Sequence, residues 1–247
     1  AHAVTKTASR WYSGRLEQEI SLVRWGHWGQ PVLLFPTAGG DAEEIERFHM
    51  IDVLRPLIDA GKIKVYSCDS VAGQALLGRR GSARHQMWMQ NQFHYYIKTE
   101  VVPAIRADCK NSEIEIWASG ASIGALHSVA MVCRFPQYFS RAIAMSGTYD
   151  IRRFYDASDF SDEFWVSSPI HFVPSLAGRH LDVLRTRFIL MCSGEGRAED
   201  IGESWAMANT LGRMGIPNRM DSWGRDWHHD WVTWRKMLPQ YLTEWTK

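Results

Sequence analysis

No Cys-x-x-Cys pair occurs among the four cysteines, Cys68, Cys109, Cys133 and Cys192. A zinc ribbon or a thioredoxin-like redox centre needs that spacing, so neither is expected. Each cysteine lies in an apolar, regular-looking segment, where a free thiol behaves as a small hydrophobe. Reduced thiols and a cytoplasmic home are the expectation. The chain lacks an apolar run of about 18 residues and does not open on a charged n-region followed by an apolar h-region, so no membrane span is expected. A signal removed ahead of Ala1 would leave the same sequence. Charge of one sign is also missing. The formal net charge is +1, too little to expect nucleic acid or an anionic membrane as a partner. No internal repeat and no low-complexity linker interrupts the 247 residues, which suit one domain over 1–247 with a large core.

What the chain does have is an alternation of apolar runs with helical patterns. Ile20–Val23, Pro31–Phe35, Ile63–Ser67, Glu113–Trp117, Ala142–Ser146, Phe188–Cys192 and Arg219–Trp223 read as strands. Pro31–Phe35 is apolar throughout, as in a strand covered on both faces. Helices are expected over Ala42–Phe48 with Asp41 as cap, and over Met50–Ala60 with Gly61 as stop. Further helices are expected over Met87–Asp108 with a bend at Pro103, over Leu126–Arg134 and Ser204–Met214, and over Val232–Trp245 interrupted at Pro239. Residues 1–14 read as an unpatterned arm and residues 70–84 as a glycine-rich loop. Residues 149–178 read as irregular, either a small cap or a packed surface loop. Strands alternating with helices imply an α/β architecture with a mostly parallel sheet covered on both faces. Ligands in such sheets sit at the carboxyl ends of the strands. Four turns fall there: Pro36–Gly40, Gly120–Gly124, Ser193-Gly194 and Trp223-Gly224.

The second of these turns organises the rest. Gly120-Ala121-Ser122-Ile123-Gly124 follows a strand pattern and precedes a helical one. It is a Gly-x-Ser-x-Gly nucleophile elbow in its confirming context. Glycines suit the strained turn and the close backbone passing beside Ser122. The Ile123 N–H, at the helix start, would face any developing oxyanion. A serine nucleophile needs a base, and the base needs an orienting acid. Only His228 and His229 follow the last strand. Asp230 reads as the cap of the closing helix, which favours His229 at the junction, with His228 as the alternative. The acid should follow Phe188–Cys192, where Glu195, Glu199 and Asp200 are the candidates.

Ser122 in Gly-Ala-Ser-Ile-Gly, the ending His229-Asp230-Trp231-x-x-Trp234-Arg235 and the turn Phe35-Pro36-Thr37-Ala38-Gly39-Gly40 resemble one branch of the α/β-hydrolases. That branch holds the feruloyl and acetylxylan esterases, enterochelin esterases, esterase D and the mycolyltransferase antigens. The resemblance spans about residues 15–245. It implies an α/β-hydrolase fold with at most a small cap, and a serine esterase with a Ser-His-Glu triad. Similar sequences supply the acid from a Gly-x-Gly-x-x-Glu segment, matching Gly194, Gly196 and Glu199, so Glu199 is favoured and Glu195 is second. Family members usually carry His-Gly where this chain has Pro36-Thr37. The second oxyanion donor is expected there as a backbone N–H, that of Ala38.

Twelve tryptophans are many for this length, and aromatic residues furnish both core and pocket walls. Trp88, His94, Phe164, Trp165, Trp227 and Trp231 lie near the converging loops. Of these, Trp88, His94, Trp165, Trp227 and Trp231 are taken as the substrate wall. The expected reaction is hydrolysis of a small-molecule carboxylic ester through an acyl-enzyme, with no metal and no cofactor. Acyl transfer to an alcohol would use the same residues. A non-catalytic binding module on a hydrolase scaffold is the rival of another class. Acyl and alcohol specificity and the oligomeric state are not readable.

Overall fold

Apolar runs without polar alternation must be covered from both sides. The computed structural model describes residues 5–77, 81–154 and 161–247. In it those runs form the middle of an eight-stranded sheet. In chain order the elements are β1 (Lys6–Ser13), β2 (Gln18–Trp25), β3 (Gln30–Phe35), α1 (Glu44–Arg47), α2 (Met50–Asp59), β4 (Ile63–Cys68), α3 (Val71–Leu77), α4 (Ala83–Tyr96), α5 (Val102–Asp108), β5 (Ile116–Ala121), α6 (Ile123–Arg134), β6 (Phe139–Met145), α7 (Asp162–Ser167), α8 (Pro169–Phe172), α9 (Gly178–Leu184), β7 (Phe188–Gly194), α10 (Ile201–Arg213), β8 (Asn218–Gly224) and α11 (Trp231–Trp245).

The strands lie in the order β1-β2-β4-β3-β5-β6-β7-β8. The pairs β1/β2 and β2/β4 are antiparallel and every pair from β4 to β8 is parallel. Successive residues of each strand serve opposite cores, as the period of two requires. Val32 and Leu34 join α2 and α11 on one face, while Leu33 and Phe35 join α4, α5 and α6 on the other. After β4 the chain passes back beyond β3 to form β5. The connections therefore diverge between β3 and β5, which opens a crevice beyond their carboxyl ends. This is the α/β-hydrolase arrangement.

The local expectations differ from the structure at several places. The supposed arm carries β1, whose residues are exposed on both faces up to Tyr12 except for half-buried Trp11, so no burial alternation marks it. The edge is held instead by Lys6, which pairs with Glu43 at 2.8 Å and Glu46 at 2.7 Å. The helix expected over Ala42–Phe48 is only α1, because Asp41 caps a turn by accepting from the Glu43 N–H at 2.9 Å. Most of the expected loop 70–84 is α3 and the start of α4, the latter capped by Ser82, which accepts from the His85 N–H; residues 78–80 lie outside the described residues.

A π-helical turn, Ile97–Val101, separates α4 from α5. It places the wide turn around Thr99, whose carbonyl the Pro103 ring would otherwise crowd. The strand expected at Glu113 begins only at Ile116. Helix α9 was not anticipated, since two buried positions, Leu181 and Leu184, give too little periodicity to read. Helix α11 runs through Pro239 without a break. Within 149–178 the described residues form α7, α8 and two short 3-10 turns, Ile151–Phe154 and Val173–Ser175. Residues 155–160 of that segment lie outside the described residues.

Candidate active site

The carboxyl end of β5 runs directly into α6, and Ser122 is the single residue between them. Its backbone has φ 60° and ψ −120°, in the positive-φ region that a side chain normally avoids. The turn closes because its neighbours have no side chains. A Cβ on Gly120 would lie 2.5 Å from the Gly124 carbonyl carbon, and one on Gly124 would lie 2.8 Å from the Pro36 oxygen. The second contact also shows that the turn after β3 lies against the start of α6. The Ser122 N–H bonds the Met145 carbonyl at 3.0 Å, which ties the elbow to the end of β6.

Across the sheet, two loops grip each other. The loop after β7 and the loop after β8 exchange main-chain bonds from Gly196 N–H to the Trp227 oxygen (2.9 Å) and from His229 N–H to the Arg197 oxygen (3.0 Å). Gly196 permits this approach, because a Cβ there would collide with the His228 ring and the Trp227 carbonyl. His228 is spent on the same lock: its Nδ1 accepts from the Arg197 N–H at 2.7 Å. Asp230 caps α11 by accepting from the Val232 N–H at 3.0 Å. His229 thus leaves a fixed junction. Its Nε2 lies 3.2 Å from Ser122 Oγ and its Nδ1 lies 2.6 Å from Glu199 Oε1. An ionised carboxylate only accepts, so the Nδ1 carries the proton and Nε2 faces the serine hydroxyl as acceptor.

Glu199 has a fully buried side chain. Its second oxygen, Oε2, accepts from the Gly194 N–H (2.7 Å) and Ser146 Oγ (2.7 Å), with Ser193 Oγ at 3.2 Å, whose one proton has a shorter alternative acceptor in the Gly194 carbonyl at 2.8 Å. Burying a charge is tolerated when it is so surrounded. Of the other acids, Glu195 accepts from Ser222 Oγ at 3.2 Å and Asp200 pairs with Arg153 at 2.5 Å, both at the surface. The structure therefore brings Ser122, His229 and Glu199 together, and leaves His228, Glu195 and Asp200 in other contacts.

The turn 36–40 is held by a residue that was not singled out. Glu44 Oε1 accepts from the Thr37 N–H at 2.7 Å and from Thr37 Oγ1 at 2.9 Å. Glu44 is 7 % exposed, and burial raises its pKa against the lowering effect of those two bonds. The Gly40 N–H bonds the Thr37 carbonyl at 2.8 Å. Ala38, at φ 43°, follows on the other side of that trans peptide, so its N–H points away from the turn interior. The Ile123 N–H is the first of α6 and has no partner within the helix.

The aromatic residues divide. Trp88 and Trp165 are exposed, at 38 % and 43 %; Trp88 stacks on His85, and Trp165 stands edge-on to His171. Trp227 is half-buried edge-on to Trp223, and Trp231 stacks on Phe48 at 5.1 Å. Phe164 is wholly buried. His94 corrects the expectation of a wall residue. It lies on the inner face of α4 at 1 % exposure, and its Nδ1 accepts from Arg134 at 3.0 Å. Burial, with the Arg134 charge beside it, holds its pKa well below the histidine range. Ser146, Ser193 and Trp234 escaped the sequence reading as site residues. The available signal was position: each serine directly follows an apolar strand run, at the carboxyl ends of β6 and β7.

Among the described residues no group of three or more His, Cys, Asp or Glu side chains is placed to hold a metal ion. No described helix is long and apolar enough to cross a membrane.

No curated protein has a significant sequence match to the chain. Among solved structures, a ferulic acid esterase superposes with a TM-score of 0.75 at 15 % identity over 99 % of each chain. The S-formylglutathione hydrolase of Staphylococcus aureus gives 0.75 at 12 % identity over 100 % of both chains. MPT51 of Mycobacterium tuberculosis gives 0.72 at 15 % identity over 98 % of both. At such identities the likeness speaks for the fold. The family is carried by sequence: residues 43–244 match the family described as "Putative esterase". With that match over most of its length and this topology, the chain belongs to that esterase family of the α/β-hydrolase fold.

Proposed function

We propose that the protein hydrolyses small-molecule carboxylic esters through a serine acyl-enzyme, within a single domain spanning 1–247. The observation that carries this reading is the unbroken line Ser122 Oγ, His229 Nε2, His229 Nδ1 and Glu199 Oε1, with links of 3.2 and 2.6 Å, at a strained strand-to-helix turn. In the proposed reaction Ser122 Oγ attacks the ester carbonyl while His229 Nε2 takes its proton. The carbonyl oxygen becomes an oxyanion, held by the N–H groups of Ile123 and Ala38. The imidazolium, stabilised by Glu199, then protonates the departing alkoxide, which leaves as the alcohol. Water repeats the cycle on the acyl-Ser122 ester and releases the acid. Trp88, Trp165, Trp227 and Trp231 are assigned to the substrate wall. The four free thiols, three of them buried, support a cytoplasmic location.

A fluorophosphonate probe tests the reading. It should label the wild-type protein on Ser122, and Ser122→Ala should lose both the label and hydrolysis of p-nitrophenyl acetate, by several orders of magnitude in turnover. Hydrolysis by Ser122→Ala at the wild-type rate would overturn the assignment.

A further inference from the structure

Resting on that triad reading, we infer that Trp234 is a positioning residue that acts through Ser146 to hold the Glu199 carboxylate in register with His229. The indole Nε1–H of Trp234 lies 3.0 Å from Ser146 Oγ, and Ser146 Oγ lies 2.7 Å from Glu199 Oε2. An indole N–H can only donate, and a serine hydroxyl has one proton. Ser146 therefore accepts from Trp234 and must spend its own proton on the carboxylate. The indole thus sets the direction of the whole chain of bonds. Ser146 and Trp234 are each 4 % exposed, so bulk water has little access to replace either partner.

The backbone makes the same demand. Ser146 sits at φ 50°, pinned by its N–H to the Cys192 carbonyl at 2.7 Å. A non-glycine residue held there is strained, and such strain persists only where the surroundings enforce it. Here the enforced geometry aims the hydroxyl at Glu199. Trp234 also meets the other end of the acid–base pair: its ring stands at 89° to the His229 imidazole with centroids 5.1 Å apart. One side chain therefore packs against the base and, through one hydroxyl, anchors the acid. A tryptophan that merely filled the core would use only its ring. Here the N–H matters, and the effect of losing it must pass through Ser146.

The test uses Trp234→Phe, Ser146→Ala and the double variant of the full chain, read in two ways. One reading is kcat and KM on p-nitrophenyl acetate. The other is the downfield proton NMR signal of the His229 Nδ1–H, which a short bond to a carboxylate produces and which needs no turnover. Ser146→Ala should lower kcat about 30-fold and Trp234→Phe about fivefold, as expected for one donor to a buried charge and for its support. KM should stay within about twofold, because both side chains are buried behind the triad. The double variant should match Ser146→Ala alone, since the indole N–H acts only through the hydroxyl and the phenyl ring of Trp234→Phe keeps a ring against His229. The Nδ1–H signal should move in both single variants. Wild-type kcat with an unmoved signal in Trp234→Phe, or additive losses in the double variant, would overturn the relay. Should Trp234→Phe not fold, an unmoved signal in Ser146→Ala overturns it equally. The relay and the triad reading fail separately. Retained hydrolysis in Ser122→Ala sinks the triad reading, whereas the NMR signal judges the relay whatever the turnover.

Discussion

Replacing Glu199 by glutamine changes one oxygen to an NH2 group and little else, and the structure dictates where that NH2 goes. Two donors, the Gly194 N–H and the Ser146 hydroxyl, converge on Oε2, whereas one, His229 Nδ1, meets Oε1. The amide oxygen must take the two-donor side, since the reverse placement would aim an NH2 at the Gly194 N–H and the Ser146 hydroxyl, each unsatisfied polar contact costing about 1–3 kcal/mol. The NH2 then faces His229 Nδ1, which can pair with it only as an acceptor. The ring proton moves to Nε2, and the nitrogen 3.2 Å from Ser122 Oγ becomes a donor that cannot take the serine proton. An inverted histidine tautomer of this kind lowers kcat by about 10⁴ in a serine protease, and a loss of at least about 10³ is expected here. The side chain stays buried and hydrogen-bonded, so the fold should survive. The assay is steady-state hydrolysis of p-nitrophenyl acetate, with thermal unfolding as the control. Glu195→Gln, at an exposed carboxylate that accepts from Ser222 Oγ, should change kcat less than about twofold, as surface substitutions do. A Glu199→Gln variant within about tenfold of wild type would mean that this carboxylate does not set the tautomer.

Three further outcomes are expected. His229→Ala should abolish the acyl-enzyme burst, whereas His228→Ala should keep the burst and lose some stability with its bond to the Arg197 N–H; a dead His228→Ala beside an active His229→Ala would exchange their roles. Burial lowers the His127 pKa to about 3, and neither ring nitrogen has a hydrogen-bond partner among the described residues. Below about pH 6.5 the unfolded chain takes a proton there that the folded chain refuses, so stability falls by about 1.4 kcal/mol per pH unit towards pH 3. Denaturant unfolding of His127→Leu at pH 7 and 4.5 should show a loss about 2–3 kcal/mol smaller than in wild type, and parallel losses would refute the assignment. Glu44 has its pKa raised by burial, so the stability linked to its protonated form is present below the unfolded value and lost as pH rises through the folded one. Glu44→Gln, which keeps an acceptor for Thr37, should gain stability relative to wild type as pH rises above the ordinary carboxylate range, while Glu44→Ala should loosen the 36–40 turn and slow hydrolysis. A gap between Glu44→Gln and wild type that does not change with pH would count against it.

Local pattern alone carried much of this protein. The uniformly apolar runs such as Pro31–Phe35 fit doubly covered strands, because they are short, end in turn residues and show no polar alternation. Gly120-x-Ser122-x-Gly124 announced a tight turn, because any side chain at either glycine collides with backbone. Gly61 marked the stop of α2, and Asp230 the start of α11, because a positive φ and an N-cap acceptor are local requirements. The resemblance favoured Glu199 among three acids. Tertiary structure decided what depends on partners far along the chain. Strand β1 has exposed faces and exists only because β2 offers it an edge. The aromatic residues near the loops could not be sorted into wall and core, because helical spacing does not say which face of α4 turns inward, and His94 turned inward. The polar groups around the Glu199 carboxylate come from Ser146, 53 residues away, from Ser193, six residues away, and from the Gly194 backbone. Each is a serine or glycine of ordinary appearance at a strand end. They meet only because parallel strands in register bring their carboxyl ends to one line, and that convergence is a property of the sheet rather than of any segment in it.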